Sequence, residues 1–158
     1  MMNYLRSLFC CVGLALVAGC VSGTPDGGVR DNFLGERERM EIPAGVADVY
    51  WKLTELNGNP APHGSGGKEA HLLLQVTKPI ARGFAGCNRF VGDYVLDGSA
   101  LSFGELRRGD VVCAEGMPLE AEYLAALARV AAWSRDGETL SLSDAEGRVV
   151  ARFMARAL

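Results

Sequence analysis

Apolar and polar residues alternate through most of residues 49–153, and that period of two gives way once to a period of three to four. Val49 to Leu56 (V-Y-W-K-L-T-E-L) is β-branched, aromatic and partly alternating, which predicts a strand. Asn57-Gly58 is a turn signal, and residues 57–68, rich in Gly, Pro and Asn, read as a loop. Ala70 to Val76 sets Leu72, Leu74 and Val76 on one face of a second strand, which Pro79 ends or edges. Ile80 to Ala85 and Phe90 to Leu96 predict two more strands, and Asp97-Gly98 turns the chain into the alternating Ala100 to Phe103.

The period then lengthens. Pro118 suits the first turn of a helix, where its missing N–H costs nothing. Glu120 and Glu122 near that end complement the helix dipole. Tyr123, Leu124, Leu127 and Val130 recur at spacings of three and four, so the pattern predicts an amphipathic helix from about 118 to 131. Beyond it, Ala131 to Ser134 begins a strand, Asp136-Gly137 is a hairpin turn, and Thr139 to Ser143 alternates cleanly. Glu146-Gly147 turns again before Val149 to Phe153. Short strands at regular spacing around one helix predict a mainly β, α+β domain: a small barrel or sandwich, with the helix stripe over one open side.

The amino-terminal stretch follows a different pattern. Leu8 to Ala18 is an apolar run broken only by Gly13, too short for the roughly 20 residues that span a bilayer but suited to a signal-peptide core. Leu16-Val17-Ala18-Gly19-Cys20 resembles a bacterial lipobox, which implies cleavage before Cys20 and a diacylglycerol on its thiol. Stable anchoring takes more than one acyl chain, so a triacylated Cys20 would hold firmly. Val21 follows where inner-membrane retention usually has aspartate, so the outer membrane is the expected destination. The expected organisation is therefore a signal peptide at 1–19, a lipidated cysteine and flexible tether at 20–46, and a folded domain at 47–158.

Composition narrows the chemistry. A chain of 158 residues allows one domain plus tails, and its net charge of −3 comes with scattered Arg and Lys rather than a basic stripe, so no nucleic-acid partner is expected. The two histidines, His63 and His71, stand at no zinc-ligand spacing from a cysteine and read as surface residues; no metal or cofactor is expected. Gly64-Ser65-Gly66-Gly67-Lys68 fails the phosphate-loop template, with Pro62 at the earlier glycine position and Glu69 where Ser or Thr would hold magnesium. Asp93 and Asp110 are isolated carboxylates, and Cys87 has no evident base, so no catalytic residue is assigned. Asn88 is expected to cap a turn, and Arg89 to bond carbonyls or line a groove.

Trp51-Lys52-Leu53 with Leu56-Asn57-Gly58, then Gly86-Cys87-Asn88-Arg89-Phe90 with Gly92 and Tyr94, resemble the motifs of the META domain family, that of the HslJ-like heat-shock lipoproteins. Leu101-Ser102-Phe103, Cys113 and the helix with Glu120, Leu124 and Leu127 extend the likeness over about 48–155. It implies a cracked antiparallel β-barrel with one helix, an architecture shared with a pilotin that grips an acyl chain. One departure stands out. The family often has threonine four residues before the second cysteine, and this chain has Gly109.

Of five cysteines, Cys10 and Cys11 leave with the signal peptide and Cys20 takes lipid. Cys87 and Cys113 remain, an even pair in an oxidising compartment, which predicts a disulfide; the alternative is two reduced, buried thiols. A closed loop of about 27 residues is worth roughly 3.5 kcal/mol in the chain-entropy model. The functional expectation is a monomeric, non-catalytic, lipid-anchored envelope protein that supports outer-membrane integrity or stress and drug tolerance. The alternative is a binder of an acyl chain or partner peptide at the barrel opening, with Arg89, Tyr123 and Leu127 as contacts.

Overall fold

The computed structural model describes residues 45–156, so the signal sequence, Cys20 and the tether up to residue 44 lie outside the described residues. Strands run at β1 (Tyr50–Leu56), β2 (Asn59–Pro60), β3 (His71–Gln75), β4 (Ile80–Phe84), β5 (Arg89–Asp97), β6 (Ala100–Phe103) and β7 (Arg107–Arg108). Helix α1 (Met117–Leu127) follows, then β8 (Ala132–Asp136), β9 (Thr139–Ser143) and β10 (Val149–Arg156). Every strand foreseen from alternation is present, with no end moved by more than three residues. The two-residue strands β2 and β7 are additional, being too short to show a period.

The ten strands form one antiparallel sheet in the order β10-β9-β8-β6-β5-β4-β3-β1-β2, with β7 beside β5. Strand β1 also pairs with β10, from Tyr50 opposite Arg156 to Leu56 opposite Ala151, which closes the sheet into a ring. Two irregularities of register help it to curve, one between Leu53 and Glu55 and one between Val149 and Ala151; bulges of this kind bend a strand and increase its twist. Thr54, at the first of them, donates its hydroxyl to the Arg152 carbonyl at 3.1 Å. The ring is thinnest between β6 and β8, where Ala100 opposite Ala132 is the one register pair.

Inward-facing residues fill the ring. Trp51, Leu72, Leu74, Leu140, Leu142 and Phe153 are fully buried, and the helix adds Leu119, Tyr123, Ala126 and Leu127. The Tyr123 ring packs edge-on against Phe90 at 5.9 Å and tilted against Phe153 at 6.1 Å. Helix α1 is shorter than its apolar pattern because its last turn tightens: Arg129 N donates to Ala126 O and Val130 N to Leu127 O. Val130 still reaches the core from that turn.

The domain also begins earlier than the expected boundary at residue 47. Val46 is buried, and its carbonyl accepts the indole N–H of Trp51 at 2.6 Å. Arg135 lies over the same indole, 5.2 Å from its centre, and donates to the Gly45 carbonyl. Among the described residues no helix is long and apolar enough to cross a bilayer.

Phe153 sits opposite Leu53 on one side and Leu140 on the other, at the strand that closes the ring. Phe153→Ala is expected to cost about 3–5 kcal/mol, read as a lower urea midpoint with an unchanged slope.

Candidate functional site

The corner between β4 and β5 is densely bonded. Cys87 is joined to Cys113 by a disulfide, their Cα atoms 5.8 Å apart. Asn88, next to it, is 4% exposed, and its polar atoms tie three segments together. Its backbone N–H donates to Glu120 Oε2 at 2.5 Å, and Nδ2 donates to Glu120 Oε1 at 3.2 Å and to the Val111 carbonyl at 2.8 Å. Oδ1 accepts the Val111 N–H at 3.1 Å. Asn88 is thus more than a turn residue: it locks the corner to the loop before Cys113 and to the helix.

Glu120 is 1% exposed, so its carboxylate needs every partner it has. Arg108 supplies the opposite charge at 3.2 Å. The helix-dipole role expected for Glu120 is therefore joined by a larger one, as the acceptor on which the corner is hung. The backbones crowd closely here. Gly86 has φ +123°, and a β-carbon on it would come within 2.8 Å of the Gly116 carbonyl at the start of the helix. Ser65 N donates to the Gly86 carbonyl from the far side, so the Gly64–Lys68 stretch serves as a packed turn beside the corner. A β-carbon at Gly109 would lie 2.7 Å from Asn88 Oδ1. Any larger residue at this place would require Asn88 to shift.

Outside the ring, the register of β3, β4, β5 and β7 lays two rows of side chains across the sheet. One row runs Leu73, Arg82, Val91, Arg107, and the next runs His71, Phe84, Arg89. Tyr50 stacks on His71, with ring centres 4.5 Å apart, and His71 lies 6.5 Å from Phe84. A hollow of about 670 Å³ lies over these rows. A second, of about 560 Å³, shares Tyr50, His71 and Arg89 with it and extends to Val111 and the disulfide. Among the described residues Arg82, Arg89 and Arg107 have no carboxylate within ion-pair distance.

Of the residues singled out from sequence as groove contacts, Arg89 is exposed and lines both hollows. Tyr123 and Leu127 are corrected: both are fully buried, because the helix turns its apolar face into the ring and not toward an opening. The Tyr123 hydroxyl lies buried with no hydrogen-bond partner among the described residues, and burial raises its pKa well above the usual phenol value. His71, expected on the surface, is half-buried between two rings, and its Nδ1 donates to the Glu69 carbonyl at 3.3 Å. Burial is the main cause that lowers its pKa, with a further push from the Arg89 charge. Arg82 and Arg107 were missed. Alternation puts Arg82 on an outer face, but β7 is too short to place Arg107, and the neighbours of both depend on cross-strand register.

A family model described as META domain matches residues 44–157. No curated protein matches the chain. Among solved structures, an NMR structure of a protein from Burkholderia xenovorans is 27% identical, with a TM-score of 0.57 over 71% of this chain and 84% of that one. A second NMR structure, 21% identical, covers 67% of this chain and 88% of its own with a TM-score of 0.52. A crystal structure of a DUF4847 family protein from Bacteroides vulgatus ATCC 8482 shares the fold at 12% identity, with a TM-score of 0.52 over 68% of this chain and 92% of that one.

Asn88→Ala keeps the backbone N–H bond to Glu120 but strips the side-chain amide from that buried carboxylate and from the part-buried Val111 N–H and carbonyl, and a buried group left unsatisfied costs about 1–3 kcal/mol. The expected result is a lower unfolding temperature, read by thermal unfolding, with Asn88→Asp failing to restore it beside Glu120. His71 gives a pH signature. Its folded pKa lies below the usual value, so its contribution is fully present above the unfolded pKa of about 6.5 and is lost as pH falls through the folded pKa. Between pH 7.5 and 5.5 the native chain is expected to lose more stability in urea titrations than His71→Asn loses.

Proposed function

The chain belongs to the META domain family, and on that premise we propose that it is a non-catalytic, lipid-anchored domain of the bacterial envelope. Acyl chains on Cys20 hold it at the periplasmic face of the outer membrane, where it supports membrane integrity or stress and drug tolerance. The observation that carries this reading is the Cys87–Cys113 disulfide in a chain that opens on a lipobox-like leader. Structural disulfides persist in oxidising compartments such as the periplasm and are rare in the cytosol. The closed ring with its thin β6–β8 seam supports the description as a cracked barrel.

The corner motif supports a non-catalytic reading. Cys87 is spent in the disulfide, and Asn88 and Glu120 are spent on each other and on the Val111 backbone. His71 meets aromatic faces and a carbonyl, with no nucleophile in hydrogen-bond reach among the described residues.

A second reading, ligand binding, is favoured by the outer face. The ring interior is occupied by Trp51, Tyr123, Phe90 and Phe153, so an acyl chain or peptide finds its place in the groove at Arg89 and not beside Tyr123 and Leu127.

Two measurements check the first reading. The intact mass of the exported protein is expected to start at Cys20 and carry acyl chains; an unmodified amino terminus overturns the anchor. A deletion strain is expected to lose heat or drug tolerance and to regain it with the native gene but not with Cys20→Ala.

A further inference from the structure

We propose that the outer face of β3, β4, β5 and β7 binds the phosphate headgroup of an anionic phospholipid at a membrane surface. The inference deepens the ligand-binding reading above, and it stands apart from lipidation at Cys20.

Three observations carry it. The first is charge. The chain as a whole is acidic, at −3, yet Arg82, Arg89 and Arg107 gather on one face without a carboxylate partner among the described residues. Arg82 and Arg107 stand on either side of Val91 in one cross-strand row, so their backbones are about 10 Å apart at ordinary strand spacing. Arg89 lies two residues along β5, about 7 Å away. Three long guanidinium side chains with those origins can meet over one phosphate, which the planar arginine fork suits.

The second is the floor. Leu73 and Val91 lie in the row with the arginines, and Val91 is 41% exposed. Carbon surface beside three arginines suits an amphiphile better than free phosphate. The loop beside the second hollow carries Val111 and Val112, which are 60% and 84% exposed. Exposed apolar tips next to basic groups are a combination that favours an anionic bilayer surface.

The third is main-chain pairing. Strands β3 and β4 are each paired on both sides, and β5 is flanked by β4, β6 and β7. A peptide laid in the groove would find as a free edge only the two-residue β7, too short for the strand addition that is the usual source of affinity for an extended peptide. A headgroup needs only side-chain donors.

The test uses the full chain in neutral detergent, titrated with soluble dihexanoylphosphatidylglycerol and followed through the arginine side-chain NMR signals. Saturable binding that shifts Arg82, Arg89 and Arg107 is expected. Arg82→Gln/Arg107→Gln is expected to weaken it at least about tenfold, the equivalent of one lost charge-assisted hydrogen bond, with unfolding temperature retained because both side chains are exposed. Val91→Asn is expected to weaken lipid binding and leave the response to inorganic phosphate unchanged. The proposal is overturned if the native chain shows no saturable response, or if the double variant binds as tightly as the native chain. It is equally overturned if inorganic phosphate or an acidic peptide binds as tightly as the lipid. A lipid result of either sign leaves the mass of the exported amino terminus, and so the anchoring reading, independently decidable.

Discussion

A carboxylate with 1% exposure cannot be left without partners, and the corner of this domain is arranged around that requirement at Glu120. Its two oxygens take the Asn88 backbone N–H, the Asn88 side-chain amide and the Arg108 guanidinium. Each of those donors belongs to a different stretch of backbone from the helix that carries Glu120. The burial of one charge thereby sets the helix against the β4–β5 corner and the loop that leads to Cys113. The disulfide holds the same two stretches covalently, 26 residues apart in sequence. It limits the unfolded chain, while the hydrogen bonds determine the folded geometry.

The same corner separates the inside of the ring from the outside. Inside, Phe90 follows Arg89 and packs on Tyr123, which in turn packs on Phe153, so the helix and sheet share one aromatic contact set. Outside, Arg89 sits beside Phe84 and opens onto the groove. A slip of one residue in β5 would exchange these faces, putting arginine into the core and phenylalanine into water. The fixed register at Asn88 prevents that slip. Structural bonding at the corner and the positive outer face are therefore linked: the first holds the register on which the second depends.

Much of the fold was legible in the chain. Alternation located the long strands because each buries one face, and the change of period located the helix. The failures have physical causes. Strands β2 and β7 are two residues each, below the length at which a period exists. Helix α1 stops before Val130 because a tightened last turn, which does not alter the apolar spacing, carries that residue into the core. Val46 falls in the expected tether, since one valine beside glycine and alanine carries no pattern, yet the Trp51 indole claims its carbonyl.

The candidate site divides the same way. By itself the sequence determined the long strands, the helix and the resemblance to the family, and it predicted the pairing of Cys87 with Cys113, because local propensity, a contiguous motif and cysteine arithmetic do not depend on which strand lies beside which. Only the tertiary structure decided that Tyr123 and Leu127 are core, that Gly109 makes room for Asn88, and that Arg82, Val91 and Arg107 form one row. Those facts depend on which strand lies beside which, and in what register. Residues far apart in the chain become neighbours only when the ring closes.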